Sequence, residues 1–499
     1  MSNNKRHYLS LILPIEIWQL ILSYCNFWDY VRFRQTCRRA LKLPIKELPS
    51  CYSSHCSTYH ARKLDHEIIS QLTDLLLFRY SDFTCKNFSF EIMTNLTSLS
   101  FNVGIQNIHE GQKIVNFHNF TRLQELDFCH IGNIQDLTCL RNLTKLKCSH
   151  SSIHSRNEIL QMTQLVSLEI GHCDYITDLN NLQMLTYLLV PMNVKNCGIN
   201  KLTNLLELNL LSNRFVDSIT NLFKLTNLKT NHCFNNSSLR NLTNLKELVT
   251  NSKISNFNPF VSLTKLILYA YDCNHNYLYD DSIRDLTNLI ELEIDKVKIK
   301  KIGHLTNLKR LSLYASDLDE NELVHFKNLE SLYIPNGNSL SVATYLKNLT
   351  KLKLNNVYYT KNDWLKLISL KELYVRNVDL PLSCLTNLTK LESDMPQNKT
   401  LTRINISNSI VELVFLGHDF SILNNFPNLT GLEIRACPNQ SLLYHITKLN
   451  KLKIIKGLYE RQFDELLALT NLQKLQYKPF YAKEDKLTGK MHVEYVGLS

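Results

Sequence analysis

The chain has 499 residues, 44% apolar and 20% charged, the proportions of an ordinary globular protein rather than a disordered one. Lysine and arginine exceed aspartate and glutamate by 56 − 45 = 11, a mild excess spread along the whole length, which argues against a nucleic-acid partner. Glycine is scarce, 12 residues in all, and the closest two, Gly104 and Gly111, are too far apart for a P-loop, a nucleophile elbow or a dinucleotide fingerprint.

At the N-terminus Lys5 and Arg6 precede Leu9, Leu11, Ile12 and Leu13, but Pro14 and Glu16 break the apolar run, and the segment does not read as a signal peptide. The sequence contains no run of 18 apolar residues to span a membrane. The 14 cysteines include no Cys-x-x-Cys pair, so an intracellular chain with reduced thiols is expected, in cytoplasm or nucleus.

Ile17, Leu20, Ile21 and Tyr24 recur at helical spacing behind Pro14, predicting an amphipathic helix. Phe33, Cys37 and Leu41 mark a second, with Arg34, Arg38 and Arg39 opposite. On periodicity alone these helices would cap whatever follows. The order Leu13-Pro14-Ile15-Glu16, an apolar helix, Asp29, then an arginine-rich stretch closing on Cys37-Arg38, is similar to an F-box. The resemblance implies a small all-α domain over residues 9–50 that docks a Skp-type adaptor and through it a cullin–RING ubiquitin ligase. Leu13, Pro14, Ile17, Ile21 and Leu22 would form the adaptor-binding face. Cys25, where that family more often has leucine, and the bulky Trp18 are departures.

Residues 51–65 read as a linker. Cys51, His55, Cys56, His60 and His66 cluster there or just beyond, but their spacing is irregular for a zinc finger, and a connecting loop is expected. His66-Glu67 and His109-Glu110 lack the second histidine of a zinc protease, since Ser70 and Lys113 stand in its place. Neither a metal, a cofactor nor catalytic residues are expected.

From residue 66 to 478 a repeat dominates. The tetrapeptide Leu-Thr-Asn-Leu begins at Leu202, Leu225, Leu242, Leu286, Leu305, Leu385 and Leu469, inside a wider apolar-x-x-Leu-x-x-Leu-x-apolar pattern. Its third position can be followed through twenty copies from Leu75 to Leu475, with Asn231 read as the eighth and Ile455 as the nineteenth. The mean period, (475 − 75)/19, is about 21 residues. This resembles the leucine-rich repeat. It implies an α/β horseshoe solenoid with parallel strands on its concave face, and residues 479–499 as a C-terminal cap. Asn213, Cys173 and Cys437 occupy the polar position that the family places after the strand, whereas Val297, Tyr271 and Ile131 depart from it.

The alternating leucines of Leu-x-Leu lie on one side of a short strand. Each contributes about 1.5–3 kcal/mol on burial, against about 1–2 kcal/mol of backbone entropy per ordered residue. One unit is therefore unstable and only a stack holds. A period this short leaves room on the far side for 3₁₀ or extended segments, not long helices. The Thr-Asn pairs are expected to bond locally and hold the turn into the strand, and this also accounts for Asn-x-Thr triplets such as Asn95-Leu96-Thr97 and Asn348-Leu349-Thr350 that mimic glycosylation sites.

Outward strand positions gather Tyr269, Tyr314, Tyr333 and Tyr374 with Arg310 and Arg376, residue types common in binding hot spots and a candidate surface for a target protein. Scattered surface tyrosines are the plain alternative in a chain with 23 of them. The combination of F-box and repeats, with abundant Asn, Lys, Ile and Tyr, resembles chains of protists and the large DNA viruses of amoebae. The expected function is substrate recognition for a ubiquitin ligase, without catalysis, nucleic acid or membrane. The alternatives are an interaction scaffold whose helices only cap the solenoid, an enzyme, for which no segment is long enough, and an extracellular receptor.

Overall fold

The computed structural model divides the chain into two compact units, residues 1–185 and 186–499. It describes residues 74–77, 94–102, 117–129, 136–149, 156–171 and 178–185 of the first, and in the second those residues of 186–477 that form or flank the strands, together with 492–495. The segments read from sequence as F-box and linker lie outside the described residues.

The described part of the first unit is a ladder of five short strands: β1 (Asp74–Leu77), β2 (Ser98–Asn102), β3 (Glu125–Cys129), β4 (Lys145–Ser149) and β5 (Ser167–Ile170). Each pairs in parallel with the next, so that Leu75, Leu99, Leu126, Leu146 and Leu168 stand side by side.

The second unit begins with β6 (Tyr187–Leu189), β7 (Glu207–Leu210), β8 (Asn227–Thr230), β9 (Glu247–Thr250), β10 (Lys265–Tyr269), β11 (Glu291–Asp295), β12 (Arg310–Tyr314) and β13 (Ser331–Ile334). It continues through β14 (Lys351–Asn355), β15 (Glu372–Arg376), β16 (Lys390–Asp394), β17 (Glu412–Phe415), β18 (Gly431–Ile434), β19 (Lys451–Ile454), β20 (Lys474–Tyr477) and β21 (His492–Tyr495). These too pair in parallel, each with its neighbour in sequence. The last strand falls inside the segment expected to be a cap and sets Val493 beside Leu475, extending the ladder by one copy.

The register corrects the phase of two copies. Leu208 pairs with Leu228, and Leu228 with Leu248, so the eighth copy is centred on Leu228 rather than Asn231. There Leu-Thr-Asn-Leu begins at the second apolar position, because Leu222 supplies the first; the motif slides by one triplet while the buried spacing stays constant. Likewise Leu432 pairs with Leu452, which pairs with Leu475, so Leu452 replaces Ile455 as the nineteenth.

The spacing of three has a direct cause. In each Leu-x-x-Leu the second leucine's N–H bonds to the first one's carbonyl, as in Leu205 to Leu202 at 3.0 Å and Leu308 to Leu305 at 3.1 Å. That is a single β-turn. A second such turn often precedes it, as in Leu202 to Ile199 at 2.9 Å. With three residues per turn, side chains at i and i+3 fall on the same side. The turns therefore deliver a further buried column three residues upstream of the expected pattern: Phe117, Ile159, Ile199, Ile219, Leu239, Phe257, Ile283, Ile302, Leu323 and Trp364, each no more than 3% exposed. These residues change size and shape from copy to copy, so the sequence pattern does not reveal them.

Where the turns lengthen they become 3₁₀ segments such as Glu320–His325 and Leu340–Tyr345, or short helices: α1 (Arg156–Gln161), α2 (Asn236–Leu239) and α3 (Lys361–Leu365). The short period has this consequence, as expected. Of the polar positions after the strand, Asn213 is fully buried and accepts backbone N–H bonds from Phe215 at 2.8 Å and Val216 at 3.1 Å, while Val297 is buried without such a role.

The Thr-Asn pairs act between turns, not locally. The side-chain amides of Asn244, Asn288, Asn307 and Asn387 in such pairs, and of Asn142, Asn328 and Asn348, which follow Arg or Lys at the same place, each donate to a backbone carbonyl of the preceding turn, at 2.6–3.3 Å and 19–27 residues away. Threonines at the strand entrance, among them Thr226 and Thr389, likewise donate to the previous turn's carbonyl. An asparagine that donates sideways ties one copy to the next, which is where a solenoid needs its stability.

Candidate binding surface

Along most strands two residues, usually both apolar, point inward and those before, between and after them are left at the surface, as the alternating burial of β10 and β11 shows. Thr230, Thr250 and Ser393 are inward polar exceptions, and Val249 and Val414 are buried middle residues. Parallel, in-register pairing stacks these surface residues into three rows running across the strands.

The row before the first leucine is a ladder of alternating charge. Lys265 lies between Glu247 at 3.6 Å and Glu291 at 3.4 Å, and Arg310 closes on the other side of Glu291 at 2.8 Å. Farther along, Lys351 pairs with Glu372 at 3.2 Å and Lys390 with Glu412 at 3.7 Å. In the first unit Lys145 pairs with Glu125 in this row, and Lys147 with Glu169 in the row between the inward residues. Such exposed pairs contribute little each, about 0–1 kcal/mol. Their in-register alternation removes the like-charge repulsion that parallel stacking would otherwise impose.

In the other two rows lies the aromatic cluster. Tyr314, at the end of β12, packs against Tyr333 in the middle of β13 with ring centroids 4.4 Å apart. Lys353, the next residue in the middle row, holds its ammonium 4.7 Å from the centre of the Tyr333 ring. Tyr374 follows on β15, with Lys351 5.0 Å from its ring centre and its hydroxyl donating to Glu372 at 3.1 Å. Arg435 reaches back from beyond β18 to Glu392 at 3.4 Å while pairing with Glu433 at 3.1 Å. Tyr333, Lys351, Lys353, Tyr374, Glu392 and Arg435 line a groove of about 450 Å³ on the strand surface.

Burial raises the Tyr314 hydroxyl above its ordinary range, helped by the negative charges of Glu293 and Asp295. Burial likewise raises Tyr374, beyond what Lys390 lowers, with Glu372 adding to the rise. Both tyrosines are thus neutral hydrogen-bonding groups at physiological pH. For Glu372, burial pushes upward, but the hydrogen bonds from Lys351 and Tyr374 and the charges of Lys351 and Lys390 outweigh it and hold the carboxyl below its usual value.

The structure thus brings together Tyr314, Tyr333 and Tyr374 of the residues singled out from sequence. Tyr269 stands apart: its strand is separated from β12 by β11, and its hydroxyl donates to Asn231. Arg310 belongs to the charge ladder through Glu291 rather than to the tyrosines. Arg376 ends β15 with its backbone between Asn355 and Asp394. Sequence reading placed Lys351 only among the outward charges and missed Lys353, Glu392 and Arg435; all are ordinary surface charges until the register sets them beside aromatic rings. Leu13, Pro14, Ile17, Ile21 and Leu22, and the Cys51–His66 cluster, lie outside the described residues. Among the described residues no group of three His, Cys, Asp or Glu side chains could hold a metal, and no helix is long and apolar enough to cross a membrane.

Ladders of five and sixteen described strands in the two units, at this period and built on Leu-x-x-Leu turns and Leu-x-Leu strands, are those of a leucine-rich-repeat solenoid. Residues 10–51 match the F-box domain family, so the chain carries an F-box domain followed by leucine-rich repeats. Among solved structures it is similar to an internalin from Listeria monocytogenes, at 22% identity over 62% of this chain and 88% of that one (TM-score 0.39). It is also similar to a leucine-rich-repeat protein of Leptospira interrogans, at 21% identity over 76% and 97% (TM-score 0.38), and to a plant peptide hormone receptor, at 15% over 91% and 82% (TM-score 0.39). No curated protein matches the sequence. An F-box implies binding to a Skp-type adaptor, and families that join it to leucine-rich repeats are in general non-catalytic adaptors or interaction proteins.

Proposed function

We propose that this protein is the substrate-recognition subunit of a Skp–cullin–F-box ubiquitin ligase inside the cell. The observation that carries the reading is the F-box match at residues 10–51 ahead of a long in-register strand ladder whose surface rows present aromatic and charged side chains. The F-box docks the adaptor through Leu13, Pro14, Ile17, Ile21 and Leu22, and the repeats hold a target protein. No chemistry is required of this chain. Two binding surfaces on one chain raise the effective concentration of target lysines near the ligase, converting a bimolecular encounter into an intramolecular one.

A pull-down of the full chain from eukaryotic lysate, beside a Leu13→Ala/Pro14→Ala variant, tests this. Adaptor and cullin are expected with the wild type and absent with the variant. If folded wild-type protein brings down neither, the chain is an interaction scaffold whose N-terminal segment is a cap.

A further inference from the structure

The groove on β13–β15 holds an imbalance of charge. Three cations line it: Lys351, Lys353 and Arg435. Lys351 is matched by Glu372, and Arg435 by Glu392 and Glu433. Among the described residues no carboxylate comes within 4.0 Å of Lys353. At other middle positions Lys147 is met by Glu169 at 3.2 Å and Lys453 by Glu433 at 3.1 Å, each from an adjacent strand, while Lys229 lies between Asn209 and Val249. The strands adjacent to Lys353 present Tyr333 and Tyr374 instead.

Lys353 is exposed, its ammonium lies over the Tyr333 ring, and the charge of Glu293 on β11 opposes it only from beyond ion-pair distance. An anionic group entering the groove would complete it, while the two rings offer flat, rigid surface to whatever flanks the charge.

Resting on the reading of the repeats as the target-binding part, we propose that this groove takes a segment of the target protein that presents an anionic side chain, carboxylate or phosphate, to Lys353, with the neighbouring residues of the segment lying against Tyr333 and Tyr374. Anionic character follows from the residue balance, since two of the three cations are ion-paired within 4.0 Å and Lys353, among the described residues, is not. A polypeptide rather than a nucleic-acid strand is favoured because Glu372, Glu392 and Glu433 border the site and would repel a continuous phosphate backbone. One isolated negative side chain avoids them.

The test uses the full chain and three pools of short degenerate peptides that differ only in a central glutamate, phosphoserine or lysine, with oligouridylate as a fourth probe. Wild-type protein is expected to prefer at least one anionic pool over the lysine pool by about tenfold, the scale of one charge-assisted contact. Lys353→Met keeps most of the stem and should abolish the preference; Lys353→Glu should reverse it, and Lys353→Arg should retain it. Preference for glutamate or for phosphoserine identifies the source of the charge, and either supports the proposal. Equal binding of all peptide pools by the wild type, a preference that survives Lys353→Met, or binding of oligouridylate alone overturns it. Capture of the Skp-type adaptor, measured on the same preparations, separates the two levels: Lys353→Met should leave it intact, whereas its absence in the wild type counts against the ligase reading and not the groove.

Discussion

Asn307 places its side-chain amide 2.9 Å from the carbonyl oxygen of Thr287, one turn earlier in the chain, and six other asparagines make the same reach. Such a bond couples neighbouring copies, and coupling between copies is what a solenoid's cooperativity consists of. Asn307→Ala should cost about 0.5–1.5 kcal/mol, toward the low end because the bond is exposed. Asn307→Asp should cost more, because the replacement sets a carboxylate against a carbonyl with no proton to share. Hydrogen exchange of amides around Thr287 and Asn307 is the suitable measurement, since long repeat arrays need not unfold in one step. Unchanged protection in both variants would remove the asparagines from the account of stability.

Asn213 does a different job. The amide oxygen of this fully buried residue takes the N–H groups of Phe215 and Val216, so Asn213→Ala leaves one buried and one part-buried donor without that acceptor. The expected loss is about 1–3 kcal/mol. Denaturant unfolding of the variant, followed by exchange at Phe215 and Val216, should show both a lower midpoint and faster local opening; Val297, which fills the same position without accepting a bond, should tolerate Val297→Ala better.

Trp364 shows where sequence reading reached and where it stopped. The Leu-x-Leu strands and Leu-x-x-Leu turns were legible because the same residue type recurs at a fixed phase. The upstream column was not, because a 3₁₀ turn requires only that something apolar return every third residue, and here the column holds tryptophan in one copy, phenylalanine in others and isoleucine in several. Sliding of Leu-Thr-Asn-Leu by one triplet at Leu225 misplaced the eighth copy for a related reason: a turn motif is not tied to one turn. At the surface, tyrosines could be chosen by type, but Arg435 could not, since it joins the groove from three strands away through Glu392. Trp364 itself is fully buried, and Trp364→Ala should cost about 3–5 kcal/mol, seen as early loss of strand signal on heating. A loss below about 1 kcal/mol would contradict its place in the core.

The carboxyls make opposite predictions with pH. Burial, with Glu291 and Asp295 nearby, raises the Glu293 carboxyl above its ordinary 4.5, against the opposing charges of Lys265 and Lys353. A raised folded value means that ionisation costs stability: the cost is absent below 4.5, develops as pH rises through the folded value and is complete above it. Glu293→Gln should therefore stabilise the protein at neutral pH and make no difference in acid. Glu372 is held below 4.5, so its contribution is complete above that value and disappears as pH falls through the lower folded one. Lys351→Met should raise the Glu372 carboxyl toward the ordinary range and bring acid unfolding to higher pH. Carboxyl titration by NMR distinguishes the two cases; shifts in the same direction for both residues would contradict the assignment.

The central claim is that the N-terminal domain docks a ligase adaptor through one helix face. Its most direct test is the affinity of the purified full chain for a purified Skp-type adaptor, measured by calorimetry for the wild type and for Ile17→Asp/Ile21→Asp. The account predicts saturable binding by the wild type, weakened at least about thirtyfold in the variant, the scale of losing a binding hot spot. Equal affinity in both proteins, or no binding by a folded wild type, would contradict it.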